Sequence, residues 1–227
     1  MRAADSGVLI YAATTFFGQV ITDEQFLDHC EAKVKLDEIW QLKTGMATWL
    51  ASNCNSSNGR TQLIEAIQRQ SIEIDRWGDC GQPAKGCEGT EKQADDCVTD
   101  LVKHYKFYMA FENSNCIDYV TEKFYEILRS RLAVPVVIKR ENYEDLGIPG
   151  DSFIAMDDFP SVSEMAAHII NVANNKAAYL EYHKWRTDYE VLPERHDSTG
   201  FCALCRKLRE RGKFKKSSRN LRHWYNE

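Results

Sequence analysis

Nowhere in this sequence is there a run of about 20 consecutive apolar residues, the length a helix needs to cross a bilayer. The first stretch, Met1 to Val20, also lacks a basic segment followed by a clean apolar core, so it reads as neither signal peptide nor anchor. The chain is soluble as given, or it is a piece of something anchored upstream. A basic excess is missing too. The net charge is −5, which removes the field expected of a nucleic-acid binder. The one local exception, the basic tail from Arg206 to Arg222, reads as a solvated helical face. Internal repeats and low-complexity tracts are absent. So is a second CxxC: Cys202 and Cys205 form the only one, with no histidine spacing that would complete a zinc finger.

What is present fits a globular domain. Apolar residues make up 43% of the chain, and 227 residues are enough for one large domain or two small ones. Eight cysteines are many for a reduced protein. Cys54, Cys80, Cys87 and Cys97 fall close together, and the Gly-, Asp- and Gln-rich stretch between Cys80 and Cys97 suits a stapled loop. Disulfides in an oxidising compartment are the better reading against free thiols. At least one pair is expected among Cys80, Cys87 and Cys97, with Cys202 and Cys205 bridged to each other or to a neighbour. Asn55-Ser56-Ser57 is the only glycosylation sequon.

From Gly45 the hydrophobic pattern resolves into alternating strands and helices. Strands are expected at 47–51, 71–75, 106–111, 134–138 and 152–156. Helical spacing links Arg60, Leu63, Ile64 and Ile67. It also links Val120, Phe124, Ile127 and Leu128, with Asp118 as N-cap. A capping box, Ser161 and Glu164, opens a helix over 161–174. Further helices are expected over 176–189 and 202–211. Before Gly45 only a strand at 8–12 and a helix at 23–35 are legible. The alternation predicts an α/β fold with a parallel sheet covered on both faces.

In such sheets ligands sit beyond the carboxyl ends of strands, where loops lead into helix amino termini. The segment 106–128 supplies such a junction. Lys123 lies near the opening of its helix, where a cation opposes the helix dipole. Two readings stand: a surface lysine paired with Tyr119 or Glu126, or a phosphate ligand acting with free N–H groups. Glu112, Asn113 and Ser114 read equally as turn residues or as ligand contacts.

The wording of this segment carries more. FYMAFENSNCIDYVTEK, Phe107 to Lys123, closely resembles the signature of the α-1,3/4-fucosyltransferase family, glycosyltransferase family 10. Further landmarks follow in family order: VPVVI at 134–138, Asn142-Tyr143-Glu144, Pro149-Gly150, SFI at 152–154, DDFPS at 157–161, YLEYHKWR at 179–186 and the terminal CALCRKL and SSRNLRHWY. Trp49, Ser52 and Arg60 fall at the family's spacing, and RAADS at 2–6 resembles the segment before its hinge. Departures occur where the family has Asn-Ala-Leu and then Gly: this chain reads Glu126-Ile127-Leu128-Arg129-Ser130-Arg131, with Lys139 at a position where a small residue is common.

The resemblance implies the carboxy-terminal half of a GT-B glycosyltransferase. Residues 46–227 would be a Rossmann-like GDP-fucose-binding domain, and 1–45 a remnant of the amino-terminal acceptor domain and hinge. It implies inverting transfer of L-fucose from GDP-fucose to a GlcNAc-containing glycan on a glycoprotein or glycolipid, in α-1,3 linkage. The setting would be the Golgi lumen, the full-length form being a single-pass type II membrane protein. The site residues it implies are Ser52, Arg60, Tyr108, Glu112, Asn113, Ser114, Tyr119, Thr121, Glu122 and Lys123. Arg60 and Lys123 would stabilise the leaving diphosphate, Tyr108 would stack on or hydrogen-bond to the nucleoside, and Glu122 would face the fucose. No cofactor or essential metal is implied, and Asp157-Asp158 reads as a structural turn. The family's general base lies in an Asn-Phe-Glu-Ser-Pro-like motif that this sequence does not contain. The expectation is therefore GDP binding without fucose transfer by the chain alone. The other reading is a noncatalytic GDP-sugar-binding module.

Overall fold

The structure, a computed structural model, describes residues 10–12, 35–84, 86–87, 96–116 and 119–191. The expected alternation is present. Five parallel strands run β2 (Gly45–Leu50), β3 (Ile74–Trp77), β4 (Tyr105–Met109), β5 (Val134–Val137) and β6 (Ile154–Ala155), in the spatial order β3-β2-β4-β5-β6. Between and after them come α1 (Leu36–Gln41), α2 (Arg60–Gln68), α3 (Asp96–Val102), α4 (Glu122–Glu126), α5 (Glu141–Glu144), α6 (Val162–Asn174) and α7 (Lys176–Glu181). The strand β1 (Ile10–Ala12) pairs antiparallel with β7 (Tyr189–Val191) in a separate ribbon.

The sheet is buried on both faces, and alternation along β4 shows how. Phe107, Met109 and Phe111 face one core with Ile39, Ile64, Ile67, Ile169 and Tyr179, drawn from α1, α2, α6 and α7. Tyr108 and Ala110 face the other with Val98, Val102, Phe124, Tyr143 and Phe153. Phe107, Phe111, Phe124 and Phe153 are wholly inaccessible to solvent, so these two aromatic layers clamp the central strand.

Several boundaries differ from the sequence pattern. The strand expected over 71–75 is β3, set later because Ser71 takes a left-handed conformation (φ 65°) that closes the turn after α2. The helix expected over 176–189 stops at Glu181. A 3-10 turn, Lys184–Thr187, follows and tucks Trp185 into the core, and the chain then enters β7. The strand expected over 152–156 shortens to β6. Ser161 caps α6 as expected, accepting from the Glu164 N–H. The disulfide Cys87–Cys97 answers the expected pairing in the stapled loop, and Cys54–Cys80 ties the loop after β2 to the turn after β3. Asp118, Cys202, Cys205 and the helices expected at 23–35 and 202–211 lie outside the described residues, apart from Lys35.

The residues that depart from the fucosyltransferase pattern continue α4 as a π-helical turn, Ile127–Arg131, which ends at Leu132 in the left-handed region (φ 55°). Arg131 is fully buried, and Glu126 is buried and paired with Arg129 at 2.8 Å. The change is absorbed in the packing behind α4, away from its opening.

Candidate active site

The strand order reverses direction between β2 and β4: from β2 the chain moves outward to β3, and from β4 it moves the other way to β5 and β6. The crevice beyond the carboxyl ends of β2 and β4 is therefore the topological switch point, the favoured ligand position in open α/β sheets. Two loops line it, 51–59 after β2 and, after β4, residues 110–116 and 119–121. Nearly every residue singled out by the family resemblance lies on one of these loops or at the start of the helix that follows.

Arg60 joins the two loops. It is the first residue of α2, after Gly59 at φ 71°, and its side chain folds back beneath the crevice. Nη1 donates to the Phe111 carbonyl and Nη2 to the Asn53 carbonyl, both at 2.8 Å. The guanidinium stacks near Trp49, 5.7 Å from the ring centroid, and the residue is 2% exposed. Burial pulls its pKa below the ordinary arginine value, with the Glu112 carboxylate partly offsetting. One N–H of each terminal nitrogen thus anchors Arg60 to a loop carbonyl, and the guanidinium sits beneath the crevice at which a leaving-group role was expected of it. Asn58 repeats the stitch, its amide donating to the Glu112 carbonyl at 2.8 Å and to Asn115 Oδ1 at 3.2 Å. Sequence reasoning passed over Asn58. The Asn-Gly pair just before a helix was its only signal, and it spoke for a turn.

Tyr108, expected at the nucleoside, lies on the inward side of β4. Its ring is wholly buried in the core beneath the sheet, and its hydroxyl approaches the Leu50 carbonyl at 3.5 Å. The alternation of β4 sends this side chain inward, so it offers no ring face for stacking.

The remaining residues gather at the start of α4. Thr121, with extended backbone (φ −116°, ψ −175°), is the N-cap, the place expected for Asp118. Glu112 meets it from the end of β4: Oε1 accepts from the Thr121 N–H and from its hydroxyl, each at 2.8 Å. Lys123 completes the group. Its Nζ lies 3.0 Å from Thr121 Oγ1, 3.1 Å from Glu122 Oε1 and 3.5 Å from Glu112 Oε2. Neither Tyr119 nor Glu126 is the partner of Lys123; the Tyr119 hydroxyl donates to Asn113 Oδ1 at 3.0 Å, and Glu126 is taken by Arg129. Ser114 Oγ sits 2.9 Å from Cys116 Sγ, and Ser52 is exposed on the opposite loop.

The electrostatics follow from burial and pairing. Burial raises the pKa of Glu112, which is 6% exposed, and the Lys123 ammonium and the Thr121 donors reverse this only in part. For Lys123 burial acts downward, but the carboxylates of Glu112 and Glu122 outweigh it and the net shift is up. Glu122 is pushed up by burial and brought below its ordinary value chiefly by Lys123. The arrangement places the Lys123 ammonium, its pKa raised by two carboxylates, at a helix start on the switch-point crevice. Asp157 and Asp158 lie elsewhere. Asp158 forms a bidentate pair with Arg140, and Asp157 accepts from the Arg140 N–H, as expected of a structural turn. Among the described residues no three metal-ligating side chains gather.

Residues 40–224 match the family described as glycosyltransferase family 10 (fucosyltransferase), C-terminal part. The chain belongs to glycosyltransferase family 10. It is 43% identical over 196 residues to the alpha-(1,3)-fucosyltransferase fut-6 of Caenorhabditis elegans, covering 85% of this chain and 50% of that protein. It is 33% identical over 188 residues to alpha-(1,3)-fucosyltransferase 4 of Bos taurus, covering 82% and 45%. The chain thus spans about half the length of the curated relatives it matches. In fold it resembles a crystal structure of an alpha1,3-fucosyltransferase with GDP-fucose, with a TM-score of 0.53 and 20% identity over 78% of this chain and 51% of that one. The fold is the parallel-sheet α/β architecture of a GT-B half, as the family resemblance implies.

Proposed function

We propose that this chain is the donor-binding half of an inverting fucosyltransferase that uses GDP-fucose. The whole enzyme transfers L-fucose to a GlcNAc-containing glycan in α-1,3 linkage, on the lumenal side of the Golgi. The observation that carries the reading is the Lys123 ammonium at the start of α4, on the switch-point crevice of a family 10 domain. When the bond between fucose and diphosphate breaks, negative charge grows on the departing oxygen. An ammonium already in place and already charged stabilises that charge. Asn113, Ser114 and Tyr119 form the rim. Glu122, half exposed beside Lys123, is the carboxylate assigned to the positive charge that develops on the sugar. Arg60 takes the supporting role of fixing the two loops. The two disulfides agree with a secretory setting. In this reading Lys123 supplies the charge that a divalent cation supplies in other transferases, and residues 46–227 form the donor domain.

Calorimetric titration with GDP tests the reading. The chain binds GDP, and Lys123→Ala weakens binding about ten- to a hundredfold, the worth of a charged hydrogen bond of roughly 1.5–3 kcal/mol. Equal affinity in the parent and in Lys123→Ala would put the donor elsewhere.

A further inference from the structure

The reading above leaves Glu112 without a task on the donor. We infer that Glu112 is a positioning residue: its carboxylate fixes the first turn of α4 through Thr121 and holds Lys123 until a diphosphate takes the ammonium over. The inference rests on the donor-site reading just given.

The geometry argues against a direct contact. Glu112 is 6% exposed, and its backbone is pinned on both sides, by Arg60 at the Phe111 carbonyl and by Asn58 at its own. Oε1 is occupied by the Thr121 N–H and hydroxyl at 2.8 Å, and Oε2 lies 2.9 Å from the same hydroxyl and 3.5 Å from Lys123 Nζ. Thr121 is the relay. Its hydroxyl donates to Glu112 and accepts from Lys123 Nζ at 3.0 Å. One carboxylate thereby satisfies a first-turn amide of a five-residue helix and balances the lysine beside it. A diphosphate approaching Lys123 meets that negative charge as a competitor. The second carboxylate, Glu122, is half exposed and can turn outward; Glu112 cannot. Burial also lifts the Glu112 pKa, so its charge is less secure than that of Glu122, whose pKa is lowered.

The substitution Glu112→Gln separates anchoring from charge. Glutamine keeps an oxygen for Thr121 but turns an amide N–H₂ toward Lys123, which frees the ammonium. The expected result is GDP binding about threefold tighter or more, from removal of a competing charge, with guanosine affinity unchanged because guanosine carries no phosphate. In a Lys123→Met background the same substitution should have no effect on GDP, since the coupling passes through the lysine. A loss of GDP affinity in Glu112→Gln would mark Glu112 as a donor ligand and overturn the inference. So would an unchanged affinity, or equal gains for GDP and guanosine. If Glu112→Gln does not fold, the parent chain still decides. With Lys123 reductively ¹³C-methylated and its resonance assigned by its loss in Lys123→Arg, the pH titration of that resonance should follow the neighbouring carboxylate in the free chain. It should lose that dependence when GDP is bound; a titration unaltered by GDP overturns the inference. A parent chain that binds no GDP at all sinks the donor-site reading instead, so the two failures are distinguishable.

Discussion

Two lysines at opposite ends of the same sheet meet burial in opposite ways. Lys123 lies beyond the carboxyl ends of the strands with two carboxylates within 3.5 Å, and its pKa rises. Lys43 lies at the amino-terminal ends of β2 and β4, where its Nζ donates to the Lys103 carbonyl at 2.6 Å. Its charged neighbour is Arg186, which in turn reaches His183 at 3.3 Å, and no carboxylate among the described residues offsets the group. Burial first, and Arg186 second, push Lys43 down to about 7. Burial likewise brings Arg186 down to about 10 and His183 well below its ordinary value. Burial alone lowers a lysine's pKa, and nearby carboxylates reverse the shift. The fold sets two carboxylates on Lys123 at the crevice, whereas Lys43 at the far end has a carbonyl and Arg186 for neighbours.

The largest effect on stability is expected beneath the crevice. Arg60→Met keeps much of the stem packed on Trp49 but leaves the Phe111 and Asn53 carbonyls without their donor. Each lost charged hydrogen bond is worth roughly 1.5–3 kcal/mol, so a total loss of about 3–6 kcal/mol is expected in urea unfolding, with GDP binding weakened through the loosened loops. A stability change of less than about 1 kcal/mol, accompanied by loss of GDP binding, would return Arg60 to the diphosphate.

Next in size comes Lys43. Its folded pKa of about 7 lies below the unfolded value of 10.5. Between those values the unfolded chain binds a proton that the folded chain does not, so stability falls as pH drops from about 10.5 to 7 and levels off below. Lys43→Met removes this penalty. Near pH 7 the variant should melt about 2–4 °C higher, equivalent to about 1 kcal/mol after the lost bond to Lys103 is counted. The slope of stability against pH between 7 and 10.5 should also flatten. A variant less stable than the parent at neutral pH, with the slope intact, would mean that Lys43 has an anion after all.

The same comparison shows what was legible in the sequence. Strand–helix alternation from Gly45, the stapled loop and the capping box at Ser161 are local patterns, and they are present with boundaries moved by a few residues. The signature at Phe107 to Lys123 was legible because it falls on one strand–loop–helix unit, which borders the switch point between β2 and β4. Where a charged side chain points was not legible. Arg60 and Lys123 look alike in sequence, each a cation at a helix start, yet one turns under the sheet to backbone carbonyls 51 and 7 residues away in sequence and the other joins a cluster of carboxylates. Tyr108 carried a polar group in an aromatic strand, and only the register of β4 decides that it points inward. The break after Glu181 was hidden for a related reason: Trp185 is drawn into the core, and long-range packing of that kind overrides helical spacing.

The smallest effect should come from a third lysine that lies in water. Lys176 opens α7 and reaches Asp37 of α1 at 2.7 Å, with side chains 47% and 74% exposed. An exposed pair of this kind is worth roughly 0.2–1 kcal/mol and is screened by salt. Lys176 is also at a helix start, where its charge opposes the dipole, so removing it recovers a few tenths of a kcal/mol. The two contributions nearly cancel. Lys176→Ala should therefore shift the melting temperature by no more than about 1–2 °C and leave GDP affinity unchanged. Raising the salt concentration in the parent should reproduce whatever small loss remains. Since Lys176, Lys123 and Lys43 differ in burial and in the anions around them, the three substitutions together test whether those two variables set what a lysine does in this fold. A drop of several degrees in Lys176→Ala, insensitive to salt, would show that helix contacts other than charge carry the link between α1 and α7.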